Sequence, residues 1–401
     1  MAVSSASLSH TSPTLQVERE SKWLRVERES KWLRTRNWDM IFIILSVLTV
    51  PLPYFFYLFG TNVLKGDADL VRNIINGFVA IAVGGPHMMS TLLRTAADAD
   101  FRKSYPMILR SSLLIPLIVI SLAFLNLNLM LTIFFFWAML HVLHQVTYIV
   151  ELYNHKETAI LKRSSAVSLP ARLIDYAVVL TCLFPMAAFK ISQGSFAVGT
   201  NDLTRVIPQM FQQPWLFMAA AVVFAVAAVA YIGKSIYEYR TGIINWPKTI
   251  FITLTVAVFF PLAAFENLDT AFQGANMWHS FQYLAITFYI IRIKQQYGNL
   301  DQSSPVVARF SKGKDSRGLF LLSTVMLVGS IVVFIVVRFI TGYITPPLID
   351  PAAANYEQLV SLWRFDVAYY TAILSFLWIH YYHDHFLFTN FEVLDAAYKS
   401  K

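Results

Sequence analysis

Ten long apolar segments divide this chain, at about 39–60, 70–93, 107–124, 128–153, 171–192, 214–235, 247–265, 272–292, 318–342 and 366–388. Each is close to or above the roughly 20 residues that an α-helix needs to cross a bilayer. None shows the short apolar/polar alternation of a barrel strand. The expected fold is therefore all-α, a polytopic membrane bundle of about ten transmembrane helices. Composition agrees, with 56% hydrophobic and only 14% charged residues, where a soluble chain carries roughly a quarter charged. The single cysteine, Cys182, excludes an intramolecular disulfide, a cysteine-based zinc site and an iron–sulfur cluster.

The basic residues assign an orientation. With the N-terminus inside, 26 of the 32 Lys and Arg fall on the inner side, and the outer ends hold only Lys65, Arg72, Lys190, Arg205, Arg338 and Arg364. That bias predicts ten spans in a cytoplasmic (inner) membrane with both termini cytoplasmic. The net charge of +8 then records orientation and contact with anionic lipids, and no nucleic-acid partner is expected. Residues 37–392 form the transmembrane domain, and 393–401 a short C-terminal tail.

The start of the chain repeats itself: "VERESKWLR" occurs at 17–25 and again at 26–34. A nine-residue shift turns a helix by about 900°, half a turn net, so the copies present opposite faces. Residues 1–36 are expected to be a basic flexible tail whose duplication is dispensable. No apolar core precedes the charges to make a cleavable signal peptide, and no repeat relates two halves of the chain.

Histidines carry the chemistry. Of nine, His10 lies in the tail, and the other eight lie in or at the inner edge of spans 2, 4, 8 and 10. Those four helices all run from outside to inside. His87, His141, His144, His380 and His383 fall in the cytoplasmic half of the bilayer, and His279 nearer its middle. Shared depth among distant segments was not an input to the orientation, which used only Lys and Arg.

In "HVLHQ", His141 and His144 stand at i, i+3, with Tyr148 and Glu151 continuing the stripe. "HYYHDH" repeats the spacing with His380 and His383, flanked by Asp384, while His385 points elsewhere, towards the interface, as does His155. Asn276, Gln282 and Tyr283 surround His279. In "GGPHMMSTLLR", Gly84 and Gly85 permit close helix approach, and His87, Thr91 and Arg94 share a face. Neutral imidazole is a common iron, copper or zinc ligand and costs less to bury than a charge. His87, His141, His144, His279, His380 and His383 are thus the expected metal ligands. Gln145, Asn276 and Gln282 are expected to orient them or complete the site, and Glu151, Tyr148 and Asp384 to be catalytic. Taken singly, His87 and His279 have the alternative of a hydrogen bond to a neighbouring helix, and Glu151 that of snorkelling to headgroups.

In plan and residue type the chain resembles histidine-rich integral-membrane iron enzymes, the desaturase and alkane hydroxylase group and the membrane carotene-cleaving dioxygenases. The desaturase-type boxes HxxxH and HxxHH are absent; HxxH occurs at 141–144 and 380–383. The resemblance implies iron, mono- or di-nuclear, using dioxygen on a lipophilic substrate, with a separate electron donor if the reaction is reductive. Another transition metal or haem remains open. A b-type haem protein passing electrons to quinone, and a proton-coupled transporter, are the alternatives. No HExxH, Walker loop or GxGxxG is present.

Overall fold

The computed structural model describes residues 31–161, 168–198, 201–266, 268–312, 316–346, 349, 351–352 and 354–391. Most of the tail and its duplication thus lie outside the described residues, as do residues 392–401.

Ten long helical stretches occupy the ten apolar segments: α1 (Arg36–Val63), α2 (Ala68–Arg94), α3 (Pro106–Leu125), α4 (Leu127–Leu161), α5 (Leu169–Ser192), α6 (Pro214–Arg240), α7 (Trp246–Ala264), α8 (Leu268–Tyr297), α9 (Arg317–Thr341) and α10 (Tyr356–Leu387). Eight of them are long and apolar enough to cross a membrane. The two that fall short in hydropathy are α8 and α10, which carry His279 and His380. Several helices outrun the predicted apolar segments: α4 continues eight residues past 153, and α10 begins ten residues before 366. An established helix propagates into polar sequence because each added residue closes a backbone hydrogen bond.

Local chemistry fixes the starts. Asp67 and Asn245 cap the first turns of α2 and α7, each accepting a backbone N–H three residues on, and Pro214 occupies the first turn of α6. The first two stretches are not uniform. Asp39–Ile44, Phe59–Val63 and Ala80–Gly84 widen into π-helical turns, which are rare and concentrate at functional positions.

The helices form an enclosed centre with peripheral flanks. In α4, 61% of the apolar window is buried, against 11% in α6 and in α9. The outward faces of the latter expose Val222, Val226, Ile331 and Ile335, as a lipid-facing surface would. Helix α8 packs against α1, α2 and α4, and α10 against α2, α3, α4 and α9. Two of the three apolar cores among the described residues meet on α4. Val142 to Tyr153 of α4 join one with α1, α5, α7 and α8, while Met130 to Ala138 join the other with α3 and α10. His141 lies at the changeover.

Charged groups lock the helix ends. Asp175 of α5 receives Lys234 of α6 at 2.8 Å and Lys248 of α7 at 3.1 Å. Lys294 of α8 reaches Asp98 at 2.6 Å and Asp100 at 3.0 Å in the connection after α2, and that bond holds the Asp100 carboxyl below its usual range. The end of the tail differs from the flexible segment expected over 1–36. Leu33 is buried, the N–H groups of Leu33 and Arg34 donate to Asp39 at 2.7 and 3.1 Å, and Lys31 pairs with Glu157 at 3.5 Å. The physical reason is Asp39, a buried carboxylate that needs donors; Tyr153 of α4 supplies another at 2.9 Å.

Candidate metal centre

Four helices each bring one imidazole to the centre: His87 from α2, His141 from α4, His279 from α8 and His380 from α10, all buried. Three converge by the same atom. Nε2 of His87 lies 2.8 Å from Nε2 of His380 and 3.1 Å from Nε2 of His279. The rings meet edge-on, His87 and His380 at 86° and His87 and His279 at 85°.

Hydrogen bonds decide where the protons sit. Nδ1 of His87 is 2.8 Å from the carbonyl of Gly84, which can only accept, so Nδ1 carries the hydrogen and Nε2 of the neutral ring is a bare lone pair. Ser280 Oγ lies 2.9 Å from the same Nδ1 and bonds onward to Asn276 Oδ1 at 3.3 Å. Nδ1 of His380 is 2.5 Å from Thr91 Oγ1. With Tyr283 giving its own hydrogen to an ionised Asp384, the single Thr91 hydrogen goes to Tyr283 OH at 2.6 Å, and His380 is then the donor to Thr91. Its Nε2 is bare as well. Two bare nitrogens at 2.8 Å repel unless a cation lies between them. The spacing suits a metal: cis ligands at about 2.0–2.1 Å from an ion stand roughly 2.8–3.4 Å apart.

Asp384 anchors the surround. Tyr283 donates to its Oδ1 at 2.6 Å, and its Oδ2 lies 3.4 Å from His380 Nδ1 and 3.7 Å from His141 Nε2. Arg94, on the last turn of α2, is close enough to interact electrostatically with Asp384, Tyr283 and Tyr148. His87, His279 and His380 form one group able to hold a metal ion, and His141, His380 and Asp384 another.

The expected pairs do not act as pairs. His144 is half-buried beside His385 and Phe388, with ring centroids 5.5 and 5.2 Å away. His383 bonds Thr95 at 3.1 Å and joins neither group. Residues at i, i+3 diverge by about 60° around a helix, enough to send one ring into the centre and the other past it. The lone histidines, His87 and His279, instead join His380 at the core.

Glu151 is elsewhere. It takes Arg172 of α5 at 3.0 and 2.8 Å and also Tyr176 and Asn154, an interhelical ion pair remote from the imidazoles. Tyr148 stacks on Phe388 with centroids 5.0 Å apart and does not bond a histidine. Gln145 donates to the His279 carbonyl at 3.2 Å and to Gln282 at 3.1 Å, and Gln282 donates to the Ile43 carbonyl of α1 at 2.6 Å. Those amides hold the backbone of α8 rather than a ligand. His385 is exposed, as expected of an interfacial residue. Ser280 and Tyr381, the latter stacked on His141 at 4.2 Å, escaped sequence reasoning. Ser280 could have been found by its position beside His279.

No family model matches this chain, and neither a curated protein nor a solved structure matches it significantly. The resemblance to histidine-rich membrane iron enzymes therefore rests on plan and residue type alone.

Proposed function

We propose that this chain is an integral-membrane metalloprotein of ten spans, with both termini on the cytoplasmic face, that holds a transition metal on His87, His279 and His380. The observation that carries the reading is the approach of two bare Nε2 atoms, on His87 and His380, to 2.8 Å. The orientation is supported by the bias of 26 basic residues to one side against six to the other, and with it the proposed centre belongs to the cytoplasmic half of the bilayer.

The neutral imidazole donors, with Asp384 beside them, suit iron, copper or zinc. Iron is the metal proposed, in an oxidoreductase that uses dioxygen on a lipophilic substrate entering from the lipid. Bound iron would supply one-electron and dioxygen chemistry that no side chain here can provide. The chain's own residues hold the ligands: Gly84 and Ser280 orient His87, and Thr91, Tyr283 and Asp384 orient His380. A reductive reaction draws electrons from a separate donor protein.

A second reading has one observation in its favour. The same short contact, continued through Thr91, Tyr283 and Asp384, also fits a proton held between two imidazoles in a proton-coupled carrier.

Elemental analysis of protein purified in mild detergent separates them. The metalloprotein reading expects at least one transition-metal ion per chain, lost in His380→Ala. A metal-free wild-type chain that takes up protons in liposomes would favour the carrier.

A further inference from the structure

The two unsatisfied atoms that face each other beside the three-histidine cluster have no role in it. His141 Nε2 and Asp384 Oδ2 are buried, have no hydrogen-bond partner among the described residues, and lie 3.7 Å apart. Buried polar atoms without a partner are few in folded proteins, and each costs about 1–3 kcal/mol. Here two of them point into one gap. A third donor borders it, since His380 Nδ1 lies 3.4 Å from the same Oδ2.

We infer that this gap is a second cation position, held by His141 Nε2, Asp384 Oδ2 and His380 Nδ1, so that the centre takes two divalent transition-metal ions with the His380 ring between them. The inference rests on the metal reading of the first position. Around an ion bound at about 2.0–2.2 Å, donors subtending 90–120° stand roughly 3–3.7 Å apart. Both separations fall in that range.

The surroundings hold the donors in place. Asp384 Oδ1 is committed to Tyr283 and Thr91, which leaves Oδ2 turned to the gap. His141 is sandwiched between aromatic rings, Tyr381 at 4.2 Å and 27° and Phe388 at 5.6 Å and 28°. That stacking fixes the plane in which Nε2 points. Ligation through both nitrogens makes the His380 ring an imidazolate, its Nδ1 proton released to bulk solvent as the second ion enters, while Thr91 keeps Tyr283 and Asp384 as partners. A carboxylate at the second position also offsets part of the added charge, which three neutral imidazoles at the first cannot do.

Cobalt titration tests this on the full chain. Protein purified in detergent is stripped with chelator, loaded with Co²⁺, desalted and analysed for metal, with the visible cobalt bands recorded at each addition. Two ions per wild-type chain are expected, and one in Asp384→Asn and in His141→Ala. The pair of variants guards against one that fails to fold. One ion in the wild type would overturn the second position and leave the three-histidine site standing. None would overturn both. Two ions retained in both variants would overturn the assignment of these residues.

Discussion

His87 and His380, 293 positions apart in sequence, present bare Nε2 atoms to each other across 2.8 Å, and His279 closes the triangle with a 3.1 Å contact to His87. Everything proposed for the centre follows from that approach and from the hydrogen bonds that keep the opposite nitrogens of His87 and His380 protonated.

Substitution separates the histidines that converge from those that sit nearby. His87→Ala and His279→Ala should each remove the ion at the three-histidine position and leave the one beside Asp384, while His380→Ala, which borders both positions, should reduce bound metal to background. His144→Ala should retain the wild-type amount, because that ring lies with His385 and Phe388. Loss of metal in His144→Ala would restore the pairwise arrangement that the HxxH spacing predicts.

Groups that hold a ligand's second nitrogen should matter less than the ligand but measurably. Ser280→Ala and Thr91→Val remove hydroxyls at 2.9 Å from His87 Nδ1 and 2.5 Å from His380 Nδ1. Metal affinity should fall about 10–100-fold in each, read by competition with a chromophoric chelator. Unchanged affinity would mean that packing alone orients the rings.

The tail offers a test of which part of the duplication is used. Deleting either copy of "VERESKWLR" yields the same chain, which still places Lys-Trp-Leu-Arg ahead of Thr35. Thermal stability in detergent should therefore be unchanged by the deletion. Asp39→Ala should destabilise by about 1–3 kcal/mol, because Leu33 N, Arg34 N and Tyr153 OH lose a buried acceptor.

Close packing of α8 on α1 sets the position of His279. A Cβ on Gly274 would lie 1.8 Å from the Val50 carbonyl oxygen, so Gly274→Ala must push the helices apart. The expected cost is about 1–3 kcal/mol, seen as a lower unfolding temperature together with weaker metal binding. A neutral result would show that α8 can shift without disturbing the centre.

The helices were legible because apolar length is a signal that survives without knowledge of neighbours, and eight of them are long and apolar enough to cross a membrane. Their ends were not, since helices run on into polar sequence where no apolar count marks a stop, as α4 does to Leu161 and α10 from Tyr356. Histidine as the site's residue type, the four contributing helices and the place of Asp384 beside His380 were also legible. Which histidines converge was not. Spacing along one helix fixes relative direction, but convergence depends on how each helix is rotated against its neighbours. His87 and His279 are aimed by such details as the π-helical turn at Ala80–Gly84 and the Gln145–Gln282 bridge. Glu151 continued the stripe of His141 and His144, yet it lies on the face turned to Arg172 of α5.

X-ray absorption at the metal edge of the purified wild-type chain tests the central claim most directly. The account predicts a stoichiometric metal with a nitrogen shell at about 2.0–2.1 Å and the outer-shell scattering of at least three imidazoles, abolished in His380→Ala. A chain purified without metal that also fails to take up added iron, copper, cobalt or zinc would contradict it.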